Sequence, residues 1–93
     1  MKKFVVFDFE STCDENVENY PNEIIEIGAI MLNDSGEEIS RFERFSKPSI
    51  NQQLSEFCKN LTKIKQEDIN SADNISDVII DFYNWSENCI LVS

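Results

Sequence analysis

The stretch FVVFDFEST, residues 4–12, is an apolar run interrupted by Asp8 and, two places on, by Glu10. Successive side chains of an extended strand alternate between faces. Phe4, Val6, Asp8 and Glu10 therefore share one face, and Val5, Phe7 and Phe9 share the other. At about 3.3 Å per residue the two acids stand roughly 7 Å apart at the backbone, near enough for their oxygens to converge on one cation. The chemistry this pattern offers is cation binding by hard oxygen donors. The same spacing also describes a strand that turns polar where it meets solvent.

The elements that must hold this pair follow from the rest of the chain. Residues 11–23, STCDENVENYPNE, are polar and acidic with a Pro-Asn pair, the composition of a surface loop. EIIEIGAIML, 23–32, is a strand apolar on both sides, which predicts burial of both faces. Glu26 interrupts it, and burying a carboxylate is costly unless it is paired or bound to a cation. NDSGEE supplies a hairpin turn, with Gly36 suited to a positive φ. The return strand EISRFERFSKP, 38–48, is more charged, as an edge strand is, and Pro48 ends it. Ser49 and Gln52 have the spacing of a capping box, ahead of Leu54, Phe57, Cys58, Leu61 and Ile64 at helical intervals. A short second helix covers Gln66 to Asn70. A third starts at Asn74 or Ser76 and packs Val78, Ile79, Phe82 and Trp85 inward. NCILVS, 88–93, reads as a further buried strand.

Strand, hairpin pair, helices and strand make an α/β domain in which the helices return the chain beside the first strand by a right-handed crossover. Ligands of such sheets gather at the carboxyl ends of central strands. Asp8 and Glu10 fall there, which favours the cation reading over a merely solvated strand end.

Composition narrows the function classes. With 93 residues and 41% apolar content the chain is one small globular domain. A net charge of −10 argues against nucleic-acid binding by simple electrostatics, though not against a site in which bound divalent cations supply the positive charge. There is no histidine, so the commonest general base is missing. Cys13, Cys58 and Cys89 lack paired spacing, which fits free thiols in a reducing compartment. No apolar run is long enough to span a membrane, and the acids at 8 and 10 cut the opening MKKFVVF short of a signal sequence. The expected location is cytoplasmic, with no membrane partner.

FDFEST, then NEIIEIGAIML, then FSKPSINQQLSEFCKNLTKI together resemble the DEDDh 3′-5′ exonucleases, in the branch of the Eri-1-like and KapD-like enzymes. The resemblance runs from Phe4 to Ser93. A D-x-E at a strand end is weak by itself; D-x-E, I-I-E-I-G and L-T-x-I in that order and spacing are specific. The resemblance implies a ribonuclease-H-like fold and two-metal hydrolysis of a phosphodiester at the 3′ end of RNA or single-stranded DNA. Asp8 matches the first acid, which bridges both metals. Glu10 matches the second, on the metal that activates water. Hard oxygen ligands suit Mg²⁺ or Mn²⁺, two of which ~3.5–4 Å apart stabilise the attacking and leaving oxygens. By the same resemblance Phe9, Ser11 and Thr12 line the terminal nucleotide, and Leu61 and Thr62 approach its base. Leu61 reads more readily as plain helix-end packing, and Glu26 as an acid that supports the site without being a principal ligand.

The family pattern needs further aspartates and a general-base histidine beyond the fourth strand, which this chain does not supply. Asp14, Asp68, Asp73, Asp77 and Asp81 stand elsewhere. The expectation is a single partial exonuclease domain over 1–93, its N-terminal half, truncated after the fourth strand and without turnover at a normal rate. In the family the strand at 88–93 is internal, so Ile90, Leu91 and Val92 here offer an open edge and predict self-association as a two-fold dimer.

Two other readings compete. FDFEST also resembles the haloacid-dehalogenase phosphatase signature, which wants an aspartate and usually a glycine where this chain has Glu10 and Ser11, and which fits an immediate hairpin less well. The other is non-enzymatic: an interaction fragment or a degenerate product with no catalysis.

Overall fold

The computed structural model describes all 93 residues. The elements in chain order are β1 (Phe4–Ser11), β2 (Ile24–Leu32), β3 (Glu38–Phe45), α1 (Glu56–Thr62), α2 (Gln66–Asn70), α3 (Ile75–Trp85) and β4 (Ile90–Val92). They form a four-stranded sheet of order β3-β2-β1-β4. β1 and β3 both run antiparallel to β2, and β4 returns parallel to β1. This is the mixed α/β arrangement expected from the element order.

The hairpin between β2 and β3 closes as its residues dictate. Gly36 takes φ 84°, a left-handed conformation that costs glycine little. The Asn33 side-chain oxygen accepts from the Ser35 and Glu37 N–H groups at 2.9 and 3.0 Å. On one face of the sheet Val5, Ile27, Ala29 and Met31 pack with Val78 and Phe82 of α3. A second cluster, Ile25, Leu54, Cys58, Ile64 and Ile69, joins the start of β2 to α1 and α2. Asn74 caps α3 by accepting from the Asp77 N–H. No helix is long and apolar enough to cross a membrane.

Several expectations are corrected. The Ser49/Gln52 spacing does not open a helix, because the N–H groups of Ser49, Ile50 and Asn51 turn to the Glu23 carboxylate instead. α1 starts at Glu56, capped by Ser55, whose Oγ accepts from the Cys58 N–H at 3.0 Å. β3 ends at Phe45, short of Pro48, since Lys47 leaves the sheet to donate its N–H to the Asp73 carbonyl at 2.8 Å. In α3 Ile75 packs against the core, whereas Ile79 is 39% exposed. Of the residues within α1 only Cys58 is buried, and Leu61 is 64% exposed, which removes the helix-packing reading of Leu61 in this chain. β2 is fully buried on one side only; Glu26, Gly28, Ile30 and Leu32 on the other are half-buried. The three residues of β4 are all exposed, because the strand lies at the edge of the sheet and none of them joins either core cluster.

Candidate metal and nucleic-acid site

Asp8 and Glu10 share a face because the alternate residues of β1 are fixed on the other. Val5 is fully buried, and the Phe7 ring meets Phe82 of α3 edge-on, with centroids 5.9 Å apart. With those side chains pinned under α3, alternation turns Val6, Asp8 and Glu10 away from it. β1 is an inner strand, so both acids stand on a backbone paired by β2. At the carboxyl end the register shifts between Glu10 and Ser11, and this bulge redirects the chain just beyond the second acid.

The cross-strand neighbours define the surroundings. Gly28 stands opposite Asp8 and Glu43 lies beyond it on β3, while Glu26 stands opposite Glu10. Val6, Asp8, Gly28, Ile30, Arg41 and Glu43 line an open depression of about 320 Å³. Asp8 Oδ1 accepts only from the N–H of Phe9, at 3.0 Å, and neither Asp8 nor Glu10 joins an ion pair. The Glu26 carboxyl is pushed above its ordinary range, by burial first and then by the charges of Glu10, Glu43, Asp68 and Asp8. Arg41 is the cation on this face. Its guanidinium is tied to Glu38 at 2.8 Å and to Glu43 at 3.2 Å and does not neutralise Asp8 or Glu10.

An acid-rich patch of this kind favours a bound cation. The donor type fits a divalent ion, since both groups offer unpaired carboxylate oxygens. The clearance fits too: a side chain begun at position 28 would meet nothing within 4 Å. The set is not complete, because no group of three or more acid, cysteine or histidine side chains gathers at one point.

The residues expected near a nucleotide are placed unequally. Phe9 is 38% exposed and its ring rests on Phe7 at 5.3 Å, leaving part of the ring free. Ser11 lies at the bulge, and its carbonyl receives the Cys58 thiol at 3.7 Å. Thr12 is buried, with its hydroxyl donating to the Pro21 carbonyl and accepting from the Glu23 N–H, both at 2.9 Å. It is a brace between the end of β1 and the start of β2. Thr62 turns its hydroxyl back onto the Cys58 carbonyl at 2.8 Å, while Leu61 beside it faces solvent. α1 is fastened to the end of β1 by Cys58 on Ser11 and by the Ser55 hydroxyl on the Cys13 carbonyl at 2.7 Å. The helix that carries Leu61 and Thr62 is thus docked against the segment that follows Glu10.

Two features have no counterpart in the sequence reading. Glu23 organises residues 49–51, accepting at 2.7 Å from the Ser49 N–H, 2.9 Å from Ile50 and 3.0 Å from Asn51. These partners lie 26 to 28 positions downstream, so no local signal marks them. The Cys13 thiol is pushed up to about 11, by burial first and then by the neighbouring Cys58, Asp14 and Glu10, and stays protonated at neutral pH.

The exonuclease family model (RNase_T) matches residues 5–93. The chain belongs to the exonuclease family. It is 39% identical over 82 residues to human 3′-5′ exoribonuclease 1, a match covering 86% of this chain and 24% of that protein. Over 90 residues it is 40% identical to the PolC-type DNA polymerase III of Staphylococcus saprophyticus, covering 97% of this chain and 6% of that one. Its structure superposes on the crystal structure of the nuclease domain of 3′hExo, a DEDDh family member bound to rAMP, with TM-score 0.87 and 34% identity. That match covers 92% of this chain and 44% of the domain. Another solved relative at TM-score 0.87 shows a 3′-exonuclease in 3′-end specific recognition of a histone mRNA stem-loop. The sheet and helices described above are therefore those of the ribonuclease-H-like exonuclease fold. The chain spans about a quarter of the length of the exoribonucleases it matches.

Proposed function

We propose that this chain carries the first metal-binding segment of a 3′-5′ exonuclease domain, spanning 1–93, that acts on the 3′ ends of RNA or single-stranded DNA. The observation that supports it most is the placement of Asp8 and Glu10. In an exonuclease-family chain they share the uncovered face of an inner strand at its carboxyl end, neither in an ion pair, with Asp8 lining an open depression. Asp8 and Glu10 are the ligands for Mg²⁺ or Mn²⁺. When bound, such ions supply charge stabilisation and an activated water. Phe9 offers its free ring edge to the terminal nucleotide and Ser11 its position at the bulge. Leu61 supplies exposed apolar surface for the base from α1, with Thr62 holding that turn of the helix. Thr12 contributes by fixing the loop, since its hydroxyl is fully engaged. Glu26 adds negative charge behind Glu10.

A non-catalytic reading of the isolated chain is favoured by one observation: it combines no histidine with no gathering of three ligands. Ninety-three residues in isolation then bind cation and 3′ end without cutting. Amide shift mapping with a short single-stranded oligoribonucleotide and Mg²⁺ tests both statements. The expected result is perturbation at Phe9, Ser11 and Leu61 that requires both Mg²⁺ and a free 3′ hydroxyl, with no release of a 3′ label. Perturbation centred elsewhere contradicts the site, and turnover abolished by Asp8→Ala contradicts the inactivity.

A further inference from the structure

Gly28 has no reason to be glycine within the chain itself. A glycine inside a strand is unfavourable, having no side chain to pack and more backbone freedom to lose. Gly36 is the glycine with a positive φ; Gly28 is not, so its conformation is open to any residue. Steric crowding does not explain it either, since a Cβ built there meets nothing within 4 Å. An inner strand of otherwise β-branched and apolar residues thus omits a side chain where one would fit. The position it omits stands directly across from Asp8, in register.

Resting on the metal reading above, we infer that Gly28 is a clearance residue: it keeps room beside Asp8 for the water shell of a divalent cation. Side chains directly opposite on neighbouring strands start about 4.5–5.5 Å apart at Cβ, so a residue at 28 would flank the Asp8 carboxylate. Mg²⁺ demands near-octahedral coordination at about 2.0–2.1 Å and gives up water reluctantly. Held by two carboxylates, a divalent ion keeps most of its ligands as water and needs volume on the side away from the protein donors. The depression of about 320 Å³ supplies that volume; Gly28 lines it between Asp8 and Glu43, and Arg41, which also lines it, is held by Glu38 and Glu43. A valine there would set its methyl groups where the waters must lie. An alanine would intrude less.

Stability and binding are thereby set against each other at one position, which a purely structural glycine would not do. The test measures Mn²⁺ affinity from the resonance of the free aqua ion, and Tm by circular dichroism, on the 93-residue chain and its Gly28→Val, Gly28→Ala and Asp8→Asn variants. Gly28→Val is expected to weaken Mn²⁺ binding about tenfold, the lower end of what disturbing an ion's outer shell costs, with Gly28→Ala intermediate. Both should raise Tm, by roughly 2–8 °C, as relief of an unfavourable glycine does in a domain of this size. Wild-type affinity in Gly28→Val alongside lost binding in Asp8→Asn would overturn the clearance role and leave the metal reading standing. A fall in Tm together with weaker binding would make the glycine structural and overturn the inference as well. Unchanged binding in Asp8→Asn would remove both.

Discussion

Substitution of Glu23 by glutamine should destabilise the chain in a pH-dependent way. The carboxylate accepts from the Ser49 N–H at 2.7 Å and hydroxyl at 2.9 Å, from Ile50 at 2.9 Å and from Asn51 at 3.0 Å. A hydrogen bond to a charged group contributes about 1.5–3 kcal/mol where water is excluded. Ser49 and Ile50 are exposed, so water replaces much of what is lost. Glutamine also retains one acceptor. After that discount the net cost is about 1–2 kcal/mol at neutral pH, or roughly 5–15 °C in Tm. Burial, the largest single influence, pushes the Glu23 carboxyl upward, but the N–H groups of Asn51 and Ser49, the Ser49 hydroxyl and the Ile50 N–H together bring it below its ordinary value. A folded pKa below the unfolded one gives stability that is fully present above the unfolded value and lost as pH falls through the folded one. The gap between wild type and Glu23→Gln should therefore be widest at neutral pH and close below the ordinary carboxylate range. Urea midpoints followed across that range measure it. Equal midpoints at pH 7, or a gap that persists unchanged into acid, would refute the reasoning. The same substitution should speed amide exchange at Thr12 and Asn51, since Glu23 joins the end of β1 to the segment leading into α1.

Further expectations concern the frame around the site. Phe82 packs against Phe7, Phe42 and Trp85, so Phe82→Ala should cost about 3–5 kcal/mol, close to the whole stability of a small domain, and abolish the near-ultraviolet signal and the cooperative melt. Ser55→Ala removes the α1 cap and the bond to the Cys13 carbonyl; a loss of about 1 kcal/mol in urea unfolding is expected, and an unchanged midpoint would contradict the capping role. The open β4 edge, with Ile90, Leu91 and Val92 all exposed, should pair with a second copy, giving concentration-dependent sedimentation that Leu91→Lys abolishes. A concentration-independent monomer would exclude that association.

What the sequence made legible was whatever alternation and turn chemistry encode. The shared face of Asp8 and Glu10 follows from the period of a strand, and the hairpin from Gly36. The Asn74 cap was readable for the same local reason. Where distant partners decide, local reading failed. Ser49 and Gln52 look like a helix start until Glu23 claims the N–H groups of residues 49–51. The apolar residues of β2 and β4 imply burial on both faces, yet α3 covers one face and nothing pairs with the outer edge of β4. Leu61 has helical spacing like Leu54 and Ile64, but it falls on the side of α1 that meets no partner. The strand pattern placed Gly28 inside β2 but could not show what it faces. Its meaning appears only once register sets it opposite Asp8.

Titration of the isotope-labelled chain with Mn²⁺, read as paramagnetic broadening of its backbone amides, probes the Asp8–Glu10 site most directly. Broadening should begin at residues 8–10, spread next to the facing residues 26–28 of β2, and disappear in Asp8→Asn and Glu10→Gln. With only two ligands the affinity should be weak and the ion largely hydrated. Broadening centred on another acidic segment while residues 8–10 stay sharp would contradict a metal site on the open face of β1.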